Sequence, residues 1–390
     1  MAGYISNETI DAILNTTDII SVVGEYTKLE RRGANDYWGC CPFHGEKTPS
    51  FHVDGDKKFY HCFGCHKGGN VISFIQEMEK LSYVDTLTML AKKAGIPIRY
   101  KDGAQPPSDY NKKQDEINQY IDLYERTASM FHYILTESTQ GKHALDYLIK
   151  RGVSPEIIKK FKLGYAPADR RWLKGFLKQR NYSEPFLAKS GLFSKNYPDI
   201  AFFSDRLMFP IFNRRGQVVA FGGRILHPQG EKDRKYLNSG DLIQYKKRET
   251  LFAFNFAKEA IRKNKKVIFC EGYMDTLAYH QSGIDYAVAP LGTALTDEQI
   301  KMVQSFADTI LLSFDSDEAG QNATLRAIMM CRKHDLTVKI IRLSGGKDPA
   351  EILNNFGKDN LTKQVSNAIL DSDYLLFRLG EKYPTDTPEG

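Results

Sequence analysis

No stretch of this 390-residue chain is apolar for long enough to cross a bilayer; runs such as Ile310-Leu311-Leu312 have only the length of a strand. The start, Met1-Ala-Gly-Tyr-Ile-Ser-Asn-Glu8, lacks the basic region and apolar core of a secretory leader. There is no internal repeat and no low-complexity tract. A Gly-x4-Gly-Lys-Ser/Thr phosphate loop is also missing. The nearest candidate, Ser344-Gly-Gly-Lys-Asp348, is too short and places Asp after the lysine, which excludes a P-loop motor. Cysteine is scarce, six in all. Three of these fall in one cluster, and Cys40, Cys270 and Cys331 remain outside it. Thiols used in this way are expected in a reducing cytoplasm. Hydrophobic residues at 42% and charged residues at 26% match an ordinary globular chain, long enough for two or three domains.

The cysteine cluster is the strongest local signal. Cys41-Pro-Phe-His44 is followed after seventeen residues by Cys62-Phe-Gly-Cys65. Each pair has a two-residue gap, so a tight turn can aim both side chains at one ion, and a β-hairpin in the spacer can bring the pairs together. Three thiolates and one imidazole in a closed tetrahedron predict a single structural Zn²⁺. Cys40, His61 and His66 flank the set but break the matched gaps.

The net charge of +6 conceals a segregation. Residues 111–265 carry 30 Lys/Arg against 16 Asp/Glu, whereas residues 266–390 carry 12 against 18. A basic block suits a polyanion or triphosphates, and an acidic block suits divalent cations. Solvated faces are the ordinary alternative, but a swing of this size between neighbouring segments favours function.

A helix is expected to open at Asn7 as its cap, with a second over 17–26. Residues 53–60 read as strand, Asp-Gly-type turn and strand. Helices follow at 70–80 and 83–94, then a polar Pro/Gly-bearing linker over 101–113 and a long helix from 114 to 135. Between 266 and 345 strands at 267–270, 286–289, 309–314 and 337–343 alternate with helices, the pattern of a parallel sheet.

Ligands in such sheets bind beyond the carboxyl ends of the strands. There the sequence places Glu271, with Asp275 one turn into the next helix, then Asp315 and Asp317 on alternate positions, and Asp348 in Gly345-Gly-Lys-Asp348-Pro. Gly292-Thr293 supplies a glycine loop. Asp-x-Asp alone is as often a turn or cap. Joined by Glu271 on a neighbouring strand end, it predicts a site for hard cations, because clustered carboxylates repel without one.

With these motifs in view, the chain resembles the bacterial replicative primase family of the DnaG type, and its acidic sheet resembles the Toprim module shared by primases, topoisomerases and some nucleases. Cys41-Pro-Phe-His-Gly-Glu-Lys-Thr-Pro-Ser-Phe51, Arg206-Leu-Met-Phe-Pro-Ile211, Phe221-Gly-Gly-Arg224, Lys235-Tyr-Leu-Asn-Ser239 and Glu271-Gly-Tyr-Met-Asp275 carry the likeness over nearly the whole length. It implies an α+β and α/β multidomain fold. The expected parts are a zinc ribbon of small antiparallel sheet with helices (1–100), the linker, a mixed α/β basic subdomain (114–262), a Toprim parallel-sheet subdomain (263–345) and a C-terminal helical segment (346–390).

The resemblance also implies synthesis of RNA primers on single-stranded DNA from ribonucleoside triphosphates, by a nucleotidyltransferase of the cytoplasm at the replication fork. Glu271, Asp315 and Asp317 would bind two or more Mg²⁺ or Mn²⁺ ions, in the manner of two-metal sites. Asp275 and Asp348 would complete the patch, and Glu271 could instead be a general base. Arg151, Arg206, Arg224, Lys235 and Asn238 would hold template and incoming triphosphate. The family often has a further acid where this chain has Ala350, with Glu351 beside it. A replicative helicase would be the partner of a C-terminal domain; the chain stops at Thr387-Pro-Glu-Gly390, so a truncated chain is expected.

In the ribbon, Lys57, Lys58, Tyr60 and His61 are the expected template contacts, and Phe43, Phe51 and Phe63 the expected core. Three other classes compete. A type I topoisomerase would need a Tyr nucleophile and Asp-x-Asp-Arg-Glu, whereas Glu318-Ala319 follow here. A Toprim nuclease could use the same metals to activate water, but the basic block argues against it. A DNA-binding adaptor would not need the acids.

Overall fold

The computed structural model describes residues 5–44, 46, 48–79, 81, 83–101, 108–180, 182–228, 230, 233–292, 294–315 and 317–383, with backbone only for 108–114, 319 and 382. Most of the expected linker (102–107), Thr293 and the chain end from 384 lie outside the described residues. The chain divides into two compact units, Met1–Asp115 with Gln304–Phe306, and Glu116–Val303 with Ala307–Gly390.

The first unit opens with α1 (Asn7–Thr16) and α2 (Ile19–Gly24). The cap of α1 is Ser6, one residue earlier than expected; its hydroxyl accepts from Thr9 N–H at 3.2 Å. Asp18 caps α2 by accepting from Ile20 N–H at 3.1 Å and Ser21 N–H at 3.2 Å. Strands β1 (Leu29–Arg31), β2 (Asp36–Gly39), β3 (Phe51–Asp54), β4 (Phe59–Cys62) and β5 (Gly68–Gly69) follow, and then α3 (Val71–Glu79) and α4 (Tyr83–Ala94). The five strands form one antiparallel sheet in sequence order. Strand alternation explains its two faces. Phe51, Val53, Tyr60 and Cys62 enter a core with Phe74 and Leu87, while Trp38, His52 and His61 line up across β2, β3 and β4 on the other face.

The second unit begins in α5 (Ser108–Glu137), which starts six residues before the expected position. Short helices α6 (Lys142–Lys150), α7 (Pro155–Lys160), α8 (Trp172–Lys178) and α9 (Glu184–Lys189) lie around a four-stranded antiparallel sheet. That sheet comprises β6 (Gly164–Ala166), β7 (Arg206–Phe212), β8 (Val218–Ile225) and β9 (Tyr236–Asn238). Helix α10 (Phe254–Asn264) spans the expected subdomain border at 262/263.

After it come β10 (Lys266–Cys270), α11 (Tyr273–Gln281), β11 (Ala287–Val288), α12 (Asp297–Gln304), β12 (Thr309–Ser313), α13 (Glu318–Arg332), β13 (Thr337–Ile340), α14 (Pro349–Ser366), β14 (Ile369–Leu370) and α15 (Asp371–Lys382). The strand order is β11-β10-β12-β13-β14, parallel except for β14. This is the expected α/β pattern, with one antiparallel edge strand that two residues were too short to reveal. Cys270 pairs with Ser313, so β10 and β12 end at one level and release Glu271 and Asp315 side by side. Among the described residues no helix is long and apolar enough to cross a membrane.

Candidate functional site

The ligand atoms of Cys41, His44, Cys62 and Cys65 all lie within 4.8 Å of one another. The Cys41 and Cys65 sulfurs are 3.8 Å apart, and Cys62 Sγ is 3.8 Å from His44 Nδ1. Tetrahedral zinc with bonds of about 2.3 Å to sulfur and 2.05 Å to nitrogen needs separations of about 3.8 and 3.6 Å, so the set fits. Main-chain N–H groups of Phe43 and Cys65 donate to the Cys41 and Cys62 sulfurs at 3.4 Å. Burial pushes the Cys41 thiol up, which makes a bare thiolate there costly and a cation stabilising.

Glu46 organises the site, a role sequence reasoning missed. One carboxylate oxygen accepts from the main-chain N–H of Cys41 at 2.6 Å and of Ser50 at 3.2 Å. The other faces His44 Nε2 at 3.4 Å, leaving Nδ1 for the metal. Its place in the Cys41–Phe51 motif was the available signal.

Beside the quartet the outer sheet face carries an aromatic platform. Trp38 stacks on Phe63 at 5.7 Å and 8°, His61 meets Phe63 edge-on at 4.7 Å, and Arg32 lies 5.1 Å over Trp38. Phe63 is 57% exposed, which corrects the expectation of a core ring: the Cys62–Cys65 turn carries it off the strand.

Two expected template contacts are corrected as well. Tyr60 is 2% exposed and packed on Phe43, Phe51 and Phe74, because it alternates with His61 and points inward. Lys58 donates to the carbonyls of Leu14 and Asn15 at 3.0 and 2.6 Å, so its ammonium holds the C-terminal end of α1. Lys57 stays exposed, paired to Asp54 at 3.1 Å.

In the second unit the carboxylates gather at the edge of the parallel sheet. Asp315 N–H donates to Glu271 Oε2 at 3.1 Å. Asp275 is buried, and its carboxylate accepts from Gly272 N–H at 3.1 Å. Burial first, and then Asp348, Asp315 and Glu271, push Asp275 up to about 8. Asp315 rises to about 6 through burial and the neighbouring Glu271, Asp348 and Asp317, against the pull of Lys235. Negative charge is therefore undercompensated here. An all-oxygen donor set under that strain fits a hard divalent cation such as Mg²⁺.

Asp317 and Asp348 also serve as helix caps, accepting from Gly320 N–H at 2.8 Å and Glu351 N–H at 2.7 Å. Each can spare one oxygen. Ala350 is buried, and Glu351 accepts from Lys347 N–H at 2.8 Å, so Glu351 completes the cap of α14 and leaves the outer patch short of an acid.

The basic residues divide. Lys235 feels Asp315, and Arg151 lies 3.9 Å from Asp348 with its Nε buried and unbonded. Arg224 donates to Tyr236 Oη at 2.9 Å and lies over the Tyr147 ring. Asn238 ties β9 to the loop after β11 and to α11, donating to Leu291 O at 3.0 Å and accepting from Tyr273 Oη at 2.7 Å. A side chain on Gly222 would meet Tyr273 Oη at 2.1 Å, which explains the glycine. Arg206 turns away to the carbonyls of Gly223 and Arg234, both at 3.1 Å. A cleft lined by Glu271, Gly292, Phe314 and Arg326 opens at the acidic edge.

A zinc-ribbon unit and a carboxylate-edged parallel sheet backed by basic residues define the class of multidomain Toprim proteins. Family models agree: a CHC2 zinc finger matches residues 5–106, the DNA primase catalytic core N-terminal domain matches 130–258, and a Toprim-like domain matches 268–353. A DNA primase of Treponema pallidum is 49% identical over 372 residues, 95% of this chain and 60% of the relative. One of Borreliella burgdorferi is 40% identical over 380 residues, covering 96% and 71%. The crystal structure of the zinc-binding and RNA polymerase domains of the Aquifex aeolicus primase aligns with TM-score 0.59 at 33% identity, covering 96% of this chain and 88% of that one. A DnaG catalytic domain bound to single-stranded DNA aligns with TM-score 0.60 at 28% identity over 72% of this chain and 87% of that one. The chain belongs to the DnaG-type DNA primase family, and it spans about 60% of the length of the Treponema relative.

Proposed function

We propose that this chain carries the template-reading and polymerising parts of a primase, which makes RNA primers on single-stranded DNA from ribonucleoside triphosphates. The observation that carries the reading is the edge where β10 and β12 end. Glu271 and Asp315 are joined there at 3.1 Å, with Lys235 and Arg151 beside Asp315 and Asp348. Glu271, Asp315 and Asp317 would hold Mg²⁺, with Asp275 and Asp348 around them. Bound there, the cations would supply charge neutralisation at phosphorus and acidify the attacking hydroxyl.

The protein's own part is positioning. Lys235, beside Asp315, and Arg151, 3.9 Å from Asp348, would be placed to hold triphosphate oxygens. Arg224, stacked between Tyr147 and Tyr236, and Asn238, tied to Tyr273 and Leu291, hold the rim. Zinc, held by Cys41, His44, Cys62 and Cys65, keeps the ribbon folded. Trp38, Phe63 and His61 with Arg32 and Lys57 would grip template bases and phosphates. Arg206 braces β8 from the sheet end. A bacterial cytoplasmic site at the fork and a helicase partner belong to the same reading, as do the borders 1–100, 114–262 and 263–345.

One assay separates this reading from its rivals: ribonucleotide incorporation on single-stranded DNA with Mg²⁺, read beside cleavage of the same DNA. Incorporation supports polymerase action. Cleavage alone would make the site a nuclease, and neither product would leave a DNA-binding adaptor.

A further inference from the structure

We propose that His143, Asp205 and His227 form a second metal site, which takes one divalent transition-metal ion of the Zn²⁺, Co²⁺ or Ni²⁺ kind and clips α6 to the end of the β7–β8 ladder. Among the described residues this is the one group besides the ribbon quartet in which three such donors lie within 4.8 Å of one another. The ladder ends with Arg206 opposite Ile225, so Asp205 and His227 leave the sheet from the same end. Helix α6 brings His143 in its first turn.

His227 Nδ1 is 3.2 Å from Asp205 Oδ2, and His143 Nε2 is 3.8 Å from Asp205 Oδ1. Donors on a tetrahedral zinc, with bonds of about 2.05 Å, lie about 3.3 Å apart. The first pair has that spacing and the second is about half an ångström wider; the two rings face different oxygens of Asp205, so the ion would sit against both oxygens of that carboxylate. Tyr165 on β6 fixes the carboxylate by donating to Oδ1 at 2.8 Å, and its ring packs edge-on to His143 at 4.8 Å. Such outer partners orient metal ligands. The neighbouring Arg206 guanidinium is held by the carbonyls of Gly223 and Arg234.

Two imidazoles and one carboxylate select a transition metal over Mg²⁺, which prefers oxygen, and three protein ligands leave room for water. The side chains of His143, Asp205 and His227 are 41%, 28% and 64% exposed, so an ion can enter. A simple ion pair is the alternative, and it would bind no metal. The site is independent of the polymerase reading. It bears on the basic surface through Tyr147, one turn along α6 and covered by Arg224, and through Arg206, which follows Asp205 and feels its charge.

The test is zinc stoichiometry of the whole chain after equilibrium dialysis against micromolar free Zn²⁺ in millimolar Mg²⁺, which keeps the carboxylate edge of the parallel sheet out of the zinc count, read by elemental analysis. The wild-type chain is expected to hold two ions and the His143→Ala/His227→Ala variant one. Tyr165→Phe should keep the second ion with affinity reduced about 10–100-fold. Circular dichroism identifies variants that have kept their fold, and His227→Ala alone, at the most exposed ligand, serves if the double variant does not. A single ion in the wild-type chain, or a second ion that survives loss of the histidines, overturns the proposal.

Discussion

Asp275→Asn should stabilise the Mg²⁺-free protein while weakening its use of Mg²⁺. In the folded chain Asp275 is buried beside Asp348, Asp315 and Glu271 and titrates at about 8, against an ordinary 3.8. A raised folded value contributes stability that is complete below about pH 4 and is lost as pH climbs to about 8. At pH 8 the difference converts to about 5 kcal/mol. Because the neighbouring acids share the repulsion, a realistic gain for the neutral isostere is about 3–5 kcal/mol. At pH 5 the unfolded chain is already ionised and the folded group protonated, so the gain shrinks to about 2 kcal/mol.

Trp172, packed between Phe131 and Phe176, reports the second unit once Trp38 is replaced by Phe. Thermal unfolding followed by that fluorescence, at pH 8 without Mg²⁺, should rise by roughly 10 °C in Asp275→Asn. Added Mg²⁺ should raise the wild-type midpoint more than the variant's. An unchanged or lower midpoint, or a difference that does not shrink at pH 5, would refute the reasoning.

Cys62→Ser should cost the ribbon its metal and with it about 10–16 kcal/mol of apparent stability, read as lost zinc and lost signal from Trp38, while Trp172 still unfolds at its usual temperature. Trp38→Ala or Phe63→Ala should weaken single-stranded DNA binding by about 1–3 kcal/mol per stacked base with little change in ribbon stability. Tyr60→Ala should do the reverse, destabilising the ribbon by about 3–5 kcal/mol; fluorescence anisotropy and thermal melts separate the two. Gly222→Ala should push Tyr273 off Asn238, costing about 1–3 kcal/mol of stability and most of the primer synthesis; near-normal activity in this variant would count against the Asn238 link.

Much of this site could be read from the chain because the signals were local. Matched two-residue gaps mark the zinc quartet, and strand-to-helix boundaries place Glu271 and Asp315 at one edge. The parallel sheet was legible from its repeated strand and helix lengths. What stayed hidden depended on direction or on distant partners. Tyr60 and His61 are neighbours in sequence, and only the sheet's pairing decides which one faces the core. Phe63 looks like core by type but sits on a turn. Lys58 looks free until α1 is placed near it. The Glu46 bridge and the Tyr273–Asn238–Leu291 tie join residues through hydrogen bonds that composition and periodicity do not encode. Strand β14 is too short to carry a pattern.

The central claim is that bonds are made at the edge holding Glu271 and Asp315. Asp315→Asn keeps the size of the side chain and removes a charge that Glu271, Asp348 and Asp317 oppose. Ribonucleotide addition to a primer already annealed to single-stranded DNA, measured with Mg²⁺ and beside circular dichroism, should fall at least about 100-fold with the fold intact. Extension at close to the wild-type rate would contradict the account.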